Sequence, residues 1–376
     1  MRQRKLLLVV NSAAFFISHR LPIAMEGQKR GYDVHVATPA GERSAEIEAA
    51  GLRWHPIRLR RSNMNVAKEL RTVVDLIKLY RELRPDLVHH VTSKPVLFGT
   101  IAARLTHVPA VVNAITGLGH VFISDRLFYR VLRAALGMTY RLVLRHPHMR
   151  VIFQNSDDRE LFVQSGWVRE GEDVVIAGSG VDPQEFRPRE AGGDQIPLVM
   201  FASRMLRTKG LPEFVDAVRI LKREGVPARY VLVGDPDPSN PASVGEEVLR
   251  GWASEIGLEY WGYRADMPAV LRGADIVCLP SHREGIPKVL IEAAACAIPI
   301  VTTDTAGCND IVHDGINGIL IPIGDVARLA AALRTLIEDP PLRLRMGAAG
   351  RDRVIREFSL RSVIEQTFRL YAELGV

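Results

Sequence analysis

The chain has 376 residues, 47% hydrophobic and 24% charged; that length favours two cores over one, and that balance excludes a disordered or fibrous chain. Three cysteines, Cys278, Cys296 and Cys308, fall in the C-terminal half without metal-ligand spacing, which excludes a disulfide framework and points to a reducing compartment and small buried side chains. The net charge of +6 is uneven: residues 1–185 carry 26 Lys and Arg against 18 Asp and Glu, leaving 23 against 25 for the remainder, so the first half can meet phosphates or an anionic surface.

The opening Arg-Gln-Arg-Lys followed by Leu6 to Val10 imitates a signal peptide, but Asn11 and Ser12 end the apolar run early, so it reads as a buried strand. No later run reaches the ~18 apolar residues of a membrane span. A helix is expected over Ser18 to Lys29, a strand over Asp33 to Thr38, a helix over Val66 to Leu83 and a strand over Asp86 to His90. Pro95 to Leu105 reads as the next helix and Ala110 to Ile115 as the next strand. In Asp125 to Arg150, Arg126, Arg130, Arg133, Arg141 and Arg145 interleave with apolar residues. That basic amphipathic pattern suits either an anionic membrane surface or a core-packed helix with a solvated arginine face. Strands over Val151 to Asn155 and Asp173 to Ala177 close the first half, and Gly178 to Pro197 looks like a hinge.

The rhythm then restarts with a strand over Pro197 to Ala202, a helix over Gly210 to Glu224, a strand over Arg229 to Val233 and a helix over Val244 to Glu255. Asp275 to Pro280 is a strand, Gly285 and Pro287 punctuate a loop with Pro287 at a first helical position, and the helix runs to about Ala297. Pro299 stops it before the strand Ile300 to Thr303. From Asp325 the tail is helical by period, with Leu329, Leu333, Leu336 and Ile337 on one face. Alternation at this scale predicts α/β architecture, two Rossmann-like doubly wound domains facing across a cleft. The expected division is 1–180, a linker at 181–196, a second domain at 197–358 and a closing helix at 359–376.

A loop entering a helix aims backbone N–H groups and a positive dipole end at a phosphate or sugar. Glu284 precedes such a helix and Glu292 lies inside it, where a carboxylate needs donors that sugar hydroxyls could supply. Equally, Lys288 and Glu292 at i,i+4 could be an ordinary helix pair. Arg204 and Lys209, between a strand end and a helix start, could neutralise a diphosphate or could be solvated. Asp235-Pro-Asp237 has the spacing of a metal motif, yet its Pro-rich setting fits an acidic turn better. Asn11, His19, Arg20, His89, His90, Ser93 and Lys94 belong to the carboxyl side of two first-domain strands, where ligands bind in open sheets.

The stretch Glu284-Gly-Ile-Pro-Lys-Val-Leu-Ile-Glu292, flanked by Leu279-Pro-Ser and Ala295-Cys-Ala-Ile-Pro-Ile-Val301, resembles the E-x7-E motif of family 4 retaining glycosyltransferases. Ser203-Arg-Met-Leu-Arg-Thr-Lys-Gly210 resembles that family's diphosphate-binding segment, and Gly180-Val-Asp-Pro-Gln-Glu-Phe-Arg-Pro188 its interdomain signature. The resemblance implies the GT-B fold, a last helix returning to the first domain, and a nucleotide-sugar site. Arg204 and Lys209 would hold the diphosphate; Glu284 and the backbone of Gly285, Ile286 and Pro287 the sugar; Glu292 the ribose; and Gly262 and Tyr263 the base. Arg204, Lys209 and Glu284 would carry catalysis. The glycine pair usual after the first strand is replaced by Asn11-Ser12-Ala13, and the usual histidine by Thr116-Gly117, with His120 a candidate substitute.

The basic first half and its Thr-Gly-Leu-Gly stretch resemble the branch making capsule, O-antigen and lipid-linked glycans. That implies a UDP-sugar donor, plausibly a UDP-N-acetylhexosamine, and a polyprenyl-diphosphate-linked sugar acceptor met by Asn11, His19, Arg20, His90, Lys94, Thr116, Gly117 and His120. No cofactor, metal or nucleic acid is expected, and the setting would be cytoplasmic, peripheral on the inner face of the membrane. Rival readings are a UDP-sugar epimerase or hydrolase on the same fold and a non-catalytic sugar-nucleotide-binding subunit of a synthase. A nucleic-acid binder is disfavoured by 6% aromatic residues.

Overall fold

The computed structural model describes residues 2–41, 43–59, 66–118, 127–189 and 196–376. They divide into two compact units, unit 1 comprising Met1–Ser179 with Val363–Val376, and unit 2 comprising Gly180–Ser362.

Unit 1 opens with β1 (Lys5–Val10), α1 (Ala13–His19), α2 (Leu21–Lys29), β2 (Asp33–Thr38), α3 (Ser44–Ala49) and β3 (Arg53–Pro56). It continues with α4 (Val66–Leu83), β4 (Leu87–Val91), α5 (Ser93–Thr106), β5 (Ala110–Ile115), α6 (Leu127–Val143), β6 (Met149–Phe153), α7 (Ser156–Gln164) and β7 (Asp173–Val175). All seven strands are parallel in the order β3-β2-β1-β4-β5-β6-β7. Leu7, Val9, Val88 and Val111 pack into one core, Leu6, Leu8, Leu87 and Val112 into another on the opposite face. Burial on both faces is why these strands read as continuous apolar runs.

Unit 2 contains β8 (Leu198–Ala202), α8 (Leu211–Arg223), β9 (Arg229–Val233), α9 (Glu246–Ile256), β10 (Glu259–Gly262), α10 (Met267–Arg272) and β11 (Ile276–Leu279). Then come α11 (Lys288–Ala295), β12 (Ile300–Thr303), β13 (Gly318–Ile321), α12 (Val326–Glu338) and α13 (Pro340–Glu357), with α14 (Leu360–Glu373) running on into unit 1. The six-stranded parallel sheet has the order β10-β9-β8-β11-β12-β13. In each unit the order reverses at the first strand, the switch point at which open α/β sheets present their carboxyl ends to ligands. These are two Rossmann-like domains.

Several local expectations are corrected. The helix expected over Ser18 to Lys29 is two helices broken at Arg20, with Pro22 in the first turn of the second. Pro287 is the N-cap of α11 rather than its first helical residue, and that helix ends at Ala295, with Ala297 left-handed at φ +56°. The basic segment is helical only to Val143; Met149 and Arg150 already belong to β6. In unit 1, Phe368 and Tyr371 of α14 join the core containing Leu6 and Leu8. The three cysteines are buried, and burial pushes their thiols up, Cys296 to about 11. Among the described residues no helix is long and apolar enough to cross a membrane.

Candidate active site

Unit 2 gathers most of the expected donor residues at the carboxyl ends of its strands. β8 runs into the segment that carries Arg204 and Lys209, and Gly210 turns it into α8 with φ +74°. A Cβ at Gly210 would lie 2.0 Å from the Pro280 carbonyl oxygen, so only glycine lets this loop cross the end of β11. The two loops are then tied together: the His282 N–H donates to the Thr208 carbonyl at 3.0 Å and the Ser281 hydroxyl to the same oxygen at 3.2 Å. A Cβ at Gly307 would meet the Gly285 carbonyl oxygen at 2.2 Å, so the segment after β12 packs flush against the Glu284–Gly285 backbone.

This backbone carries two opposite charges into contact. Lys209 Nζ donates to Glu284 Oε2 at 2.6 Å, with the carboxylate side chain only 9% exposed. Arg204 Nη1 donates to Asp237 Oδ2 at 2.7 Å and is 43% exposed. Glu292 lies buried in α11 with Lys288 Nζ at 2.7 Å. The i,i+4 pair therefore exists, with its carboxylate buried and its lysine part-exposed. Burial raises the Glu292 carboxyl above its ordinary range, and the Lys288 charge opposes that rise. The C-terminal end of α11 is held by Arg351, which donates to the Ala295 carbonyl and, at 3.0 Å, to the Phe186 carbonyl. At the end of β10, Gly262 is left-handed at φ +65°, and Tyr263 stands 60% exposed. Ile286 is buried, and Pro287 is the N-cap of α11. Chemically, the edge offers two cations for a diphosphate and two shielded carboxylates for hydroxyl groups.

Unit 1 treats its polar residues differently. His90, expected on the acceptor side, lies in the core of unit 1. It is fully buried, its Nε2 2.8 Å from the Tyr80 hydroxyl and its Nδ1 2.7 Å from Asn113 Oδ1, and burial lowers its pKa to about 4. Arg20 is likewise interior: burial lowers its pKa to about 10, and its Nη1 donates to the His19 carbonyl at 2.9 Å. His89 is buried with Nδ1 2.6 Å from the Tyr371 hydroxyl, and its pKa falls well below the ordinary value, first through burial and then through the Arg20 charge. His19 stacks on Phe15 with ring centres 4.1 Å apart. Lys94 Nζ donates to Glu69 at 2.6 Å. Thr116 and Gly117 follow β5 on a half-buried loop, and His120 lies outside the described residues.

Two features at this switch point escaped the sequence reading. Asn11 Oδ1, just past β1, and Thr92 Oγ1, just past β4, are buried without a hydrogen-bond partner among the described residues. Thr92 also holds φ +77° as N-cap of α5, a conformation costly for a β-branched residue. Neither an orphaned oxygen nor a positive φ leaves a mark in the residue types.

Comparison with known proteins bears on both units. The Glycosyl transferase 4-like model matches residues 5–155 and the Glycosyl transferases group 1 model residues 196–339. The N,N'-diacetylbacillosaminyl-diphospho-undecaprenol alpha-1,3-N-acetylgalactosaminyltransferase of Campylobacter jejuni is 28% identical over 88% of this chain and 91% of its own. The UDP-Gal:alpha-D-GlcNAc-diphosphoundecaprenol alpha-1,3-galactosyltransferase of Escherichia coli is 26% identical over 84% and 82%. Among solved structures, Anabaena HepE in complex with UDP and glucose superposes with a TM-score of 0.78 at 20% identity, over 98% of this chain and all of that one.

Proposed function

The chain belongs to the family 4 glycosyltransferases of GT-B fold, and from that premise we propose that it moves a sugar, an N-acetylhexosamine, from a UDP-sugar to a polyprenyl-diphosphate-linked acceptor with retention of configuration. The observation that carries the donor half is the Lys209–Glu284 pair beside Arg204 at the carboxyl edge of unit 2. Two kinds of similar protein support the remainder: relatives named for undecaprenyl-diphosphate acceptors, and a structural neighbour solved with UDP.

In this reading Arg204 and Lys209 meet the charge that develops on the departing diphosphate, the term that dominates such reactions. Glu284 accepts hydroxyls of the sugar and Glu292 those of the ribose. The acceptor hydroxyl attacks from the face the UDP leaves, and a phosphate oxygen of the leaving group takes its proton. Asn11, Lys94, Thr116 and Gly117 supply the acceptor side, with the Asn11 and Thr92 oxygens, unpartnered among the described residues, ready to receive donors. α6 adds contact with an anionic membrane: Arg130 and Arg141 share it with exposed Val131, Met138 and Leu142.

The test is transfer from UDP-N-acetylgalactosamine, UDP-N-acetylglucosamine and UDP-galactose to a synthetic polyprenyl-diphosphate N-acetylhexosamine, with product analysed for anomeric configuration. A retained-configuration disaccharide lipid is expected. Release of free sugar, or epimerised UDP-sugar without any acceptor, would replace this reading with the hydrolase or epimerase.

A further inference from the structure

Asp235-Pro236-Asp237 follows β9 at the same edge as Arg204, and the structure gives each of its carboxylates a distinct job. Asp235 Oδ1 accepts from the Tyr263 backbone N–H at 2.9 Å, and the Asp235 carbonyl accepts from the Met205 N–H at 3.0 Å. With the Gly234 N–H donating to the Gly262 carbonyl at 2.9 Å, the ends of β8, β9 and β10 are joined through this one residue and its neighbour. Asp237 Oδ2 instead holds Arg204 by Nη1, while its Oδ1 accepts from the Ser239 hydroxyl at 2.6 Å.

The turn is itself fixed. The Asp237 N–H donates to the Ser243 hydroxyl at 2.9 Å, and the Asp237 carbonyl accepts from the Asn240 N–H at 2.8 Å. An isolated antiparallel bridge, Leu206 to Ser243, is flanked by Arg207 N–H to Ala242 O and Val244 N–H to Met205 O, both 2.8 Å. The loop is thereby pinned to the segment that carries both cations. Pro236 restricts the backbone between the two carboxylates.

We propose that this turn is the positioning element of the nucleotide site, Asp235 holding the backbone that meets the base and Asp237 holding the guanidinium that meets the diphosphate. The inference rests on the donor reading above. Arg204 is exposed and gripped along one edge, so a phosphate finds an already oriented cation rather than a freely rotating one. Both carboxylates engage hydrogen-bond donors, the use expected of struts.

Titration calorimetry with uridine and with UDP separates the two roles. Asp237→Ala is expected to weaken UDP roughly tenfold, the scale of a hydrogen bond to a charged group, and to leave uridine unchanged. Asp235→Ala is expected to weaken both ligands alike, whereas Asp235→Asn, which keeps the accepting oxygen, binds as the wild type does. In an Arg204→Ala background the Asp237→Ala effect should vanish. Equal loss of uridine and UDP in Asp237→Ala, an undiminished effect in the Arg204→Ala background, or unchanged UDP affinity would overturn the inference while leaving the donor reading intact. UDP binding that EDTA abolishes in the wild type would also overturn it, by making the turn a metal site. A wild-type chain that binds neither ligand would remove the donor reading and this inference with it.

Discussion

At the carboxyl edge of unit 2, acids and bases stand in ion pairs, Arg204 with Asp237 and Lys209 with Glu284. At the switch point of unit 1, Arg20, His89 and His90 are instead sealed into the core, with Tyr80, Asn113 and Tyr371 as their partners. The same fold thus spends its polar residues in two ways. In one unit they pair with one another at the strand ends; in the other they fasten helices to a sheet. A histidine beside a strand end says nothing about which use it serves until its neighbours in space are known.

The contrast can be broken first at its most sensitive point. Lys209→Ala removes a fixed cation from the leaving group and should lower kcat by about 100- to 1,000-fold, the loss typical for one electrostatic donor; turnover of the UDP-sugar checks this. Normal turnover would show that the pair with Glu284 is merely structural.

Next comes the core of unit 1. The folded His90 pKa of about 4 lies below the ordinary 6.5, so the unfolded chain binds the extra proton in between. The stability His90 contributes is present above about pH 6.5 and is lost as pH falls toward 4, on the order of 3 kcal/mol for a shift of this size. Urea melts across that window should show the fall, and His90→Phe should make it shallower while lowering stability at neutral pH, the slope that remains coming from groups such as His89 whose pKa is lowered in the same sense. A pH-independent melt would place His90 outside the core.

Glu292→Gln sharpens the comparison from the unit 2 side. A weakened ribose contact should raise the donor KM roughly tenfold with little change in kcat, the scale of one charged hydrogen bond. Because burial raises the Glu292 carboxyl, UDP affinity in the wild type should fall on mild acidification, above the ordinary glutamate value of about 4.3, and the Gln variant should not share that fall. The smallest effect belongs to α6. Arg130→Glu with Arg141→Glu should weaken sedimentation with anionic liposomes at low salt by about 1 kcal/mol per arginine replaced, with soluble-acceptor turnover unchanged.

Much of the fold was legible in the residues. β2, β9 and β12 match their expected spans because β-branched and apolar runs in buried parallel strands leave few alternatives. β3, Arg-Trp-His-Pro, was missed because an edge strand of that composition carries no apolar run. The break at Arg20 was missed although Pro22 marks a helix start. Arg204, Lys209, Glu284 and Glu292 stand out in the sequence because their spacing belongs to one continuous segment each. The contact of Asp237 with Arg204 does not, since it spans 33 residues and a Pro-rich acidic turn looks the same whether it supports anything or not. The burial of His89 depends on Tyr371, 282 residues away, and no local pattern could announce it.

The central claim is that the paired charges of unit 2 form a nucleotide-sugar site while unit 1 serves the acceptor. It is tested most directly by thermal melts of the wild type, Lys209→Ala and Lys94→Ala with and without UDP, in EDTA. UDP should raise the melting temperature of the wild type and of Lys94→Ala alike, and leave Lys209→Ala largely unmoved. A wild type indifferent to UDP, or a Lys209→Ala variant stabilised as fully as the wild type, would contradict the account.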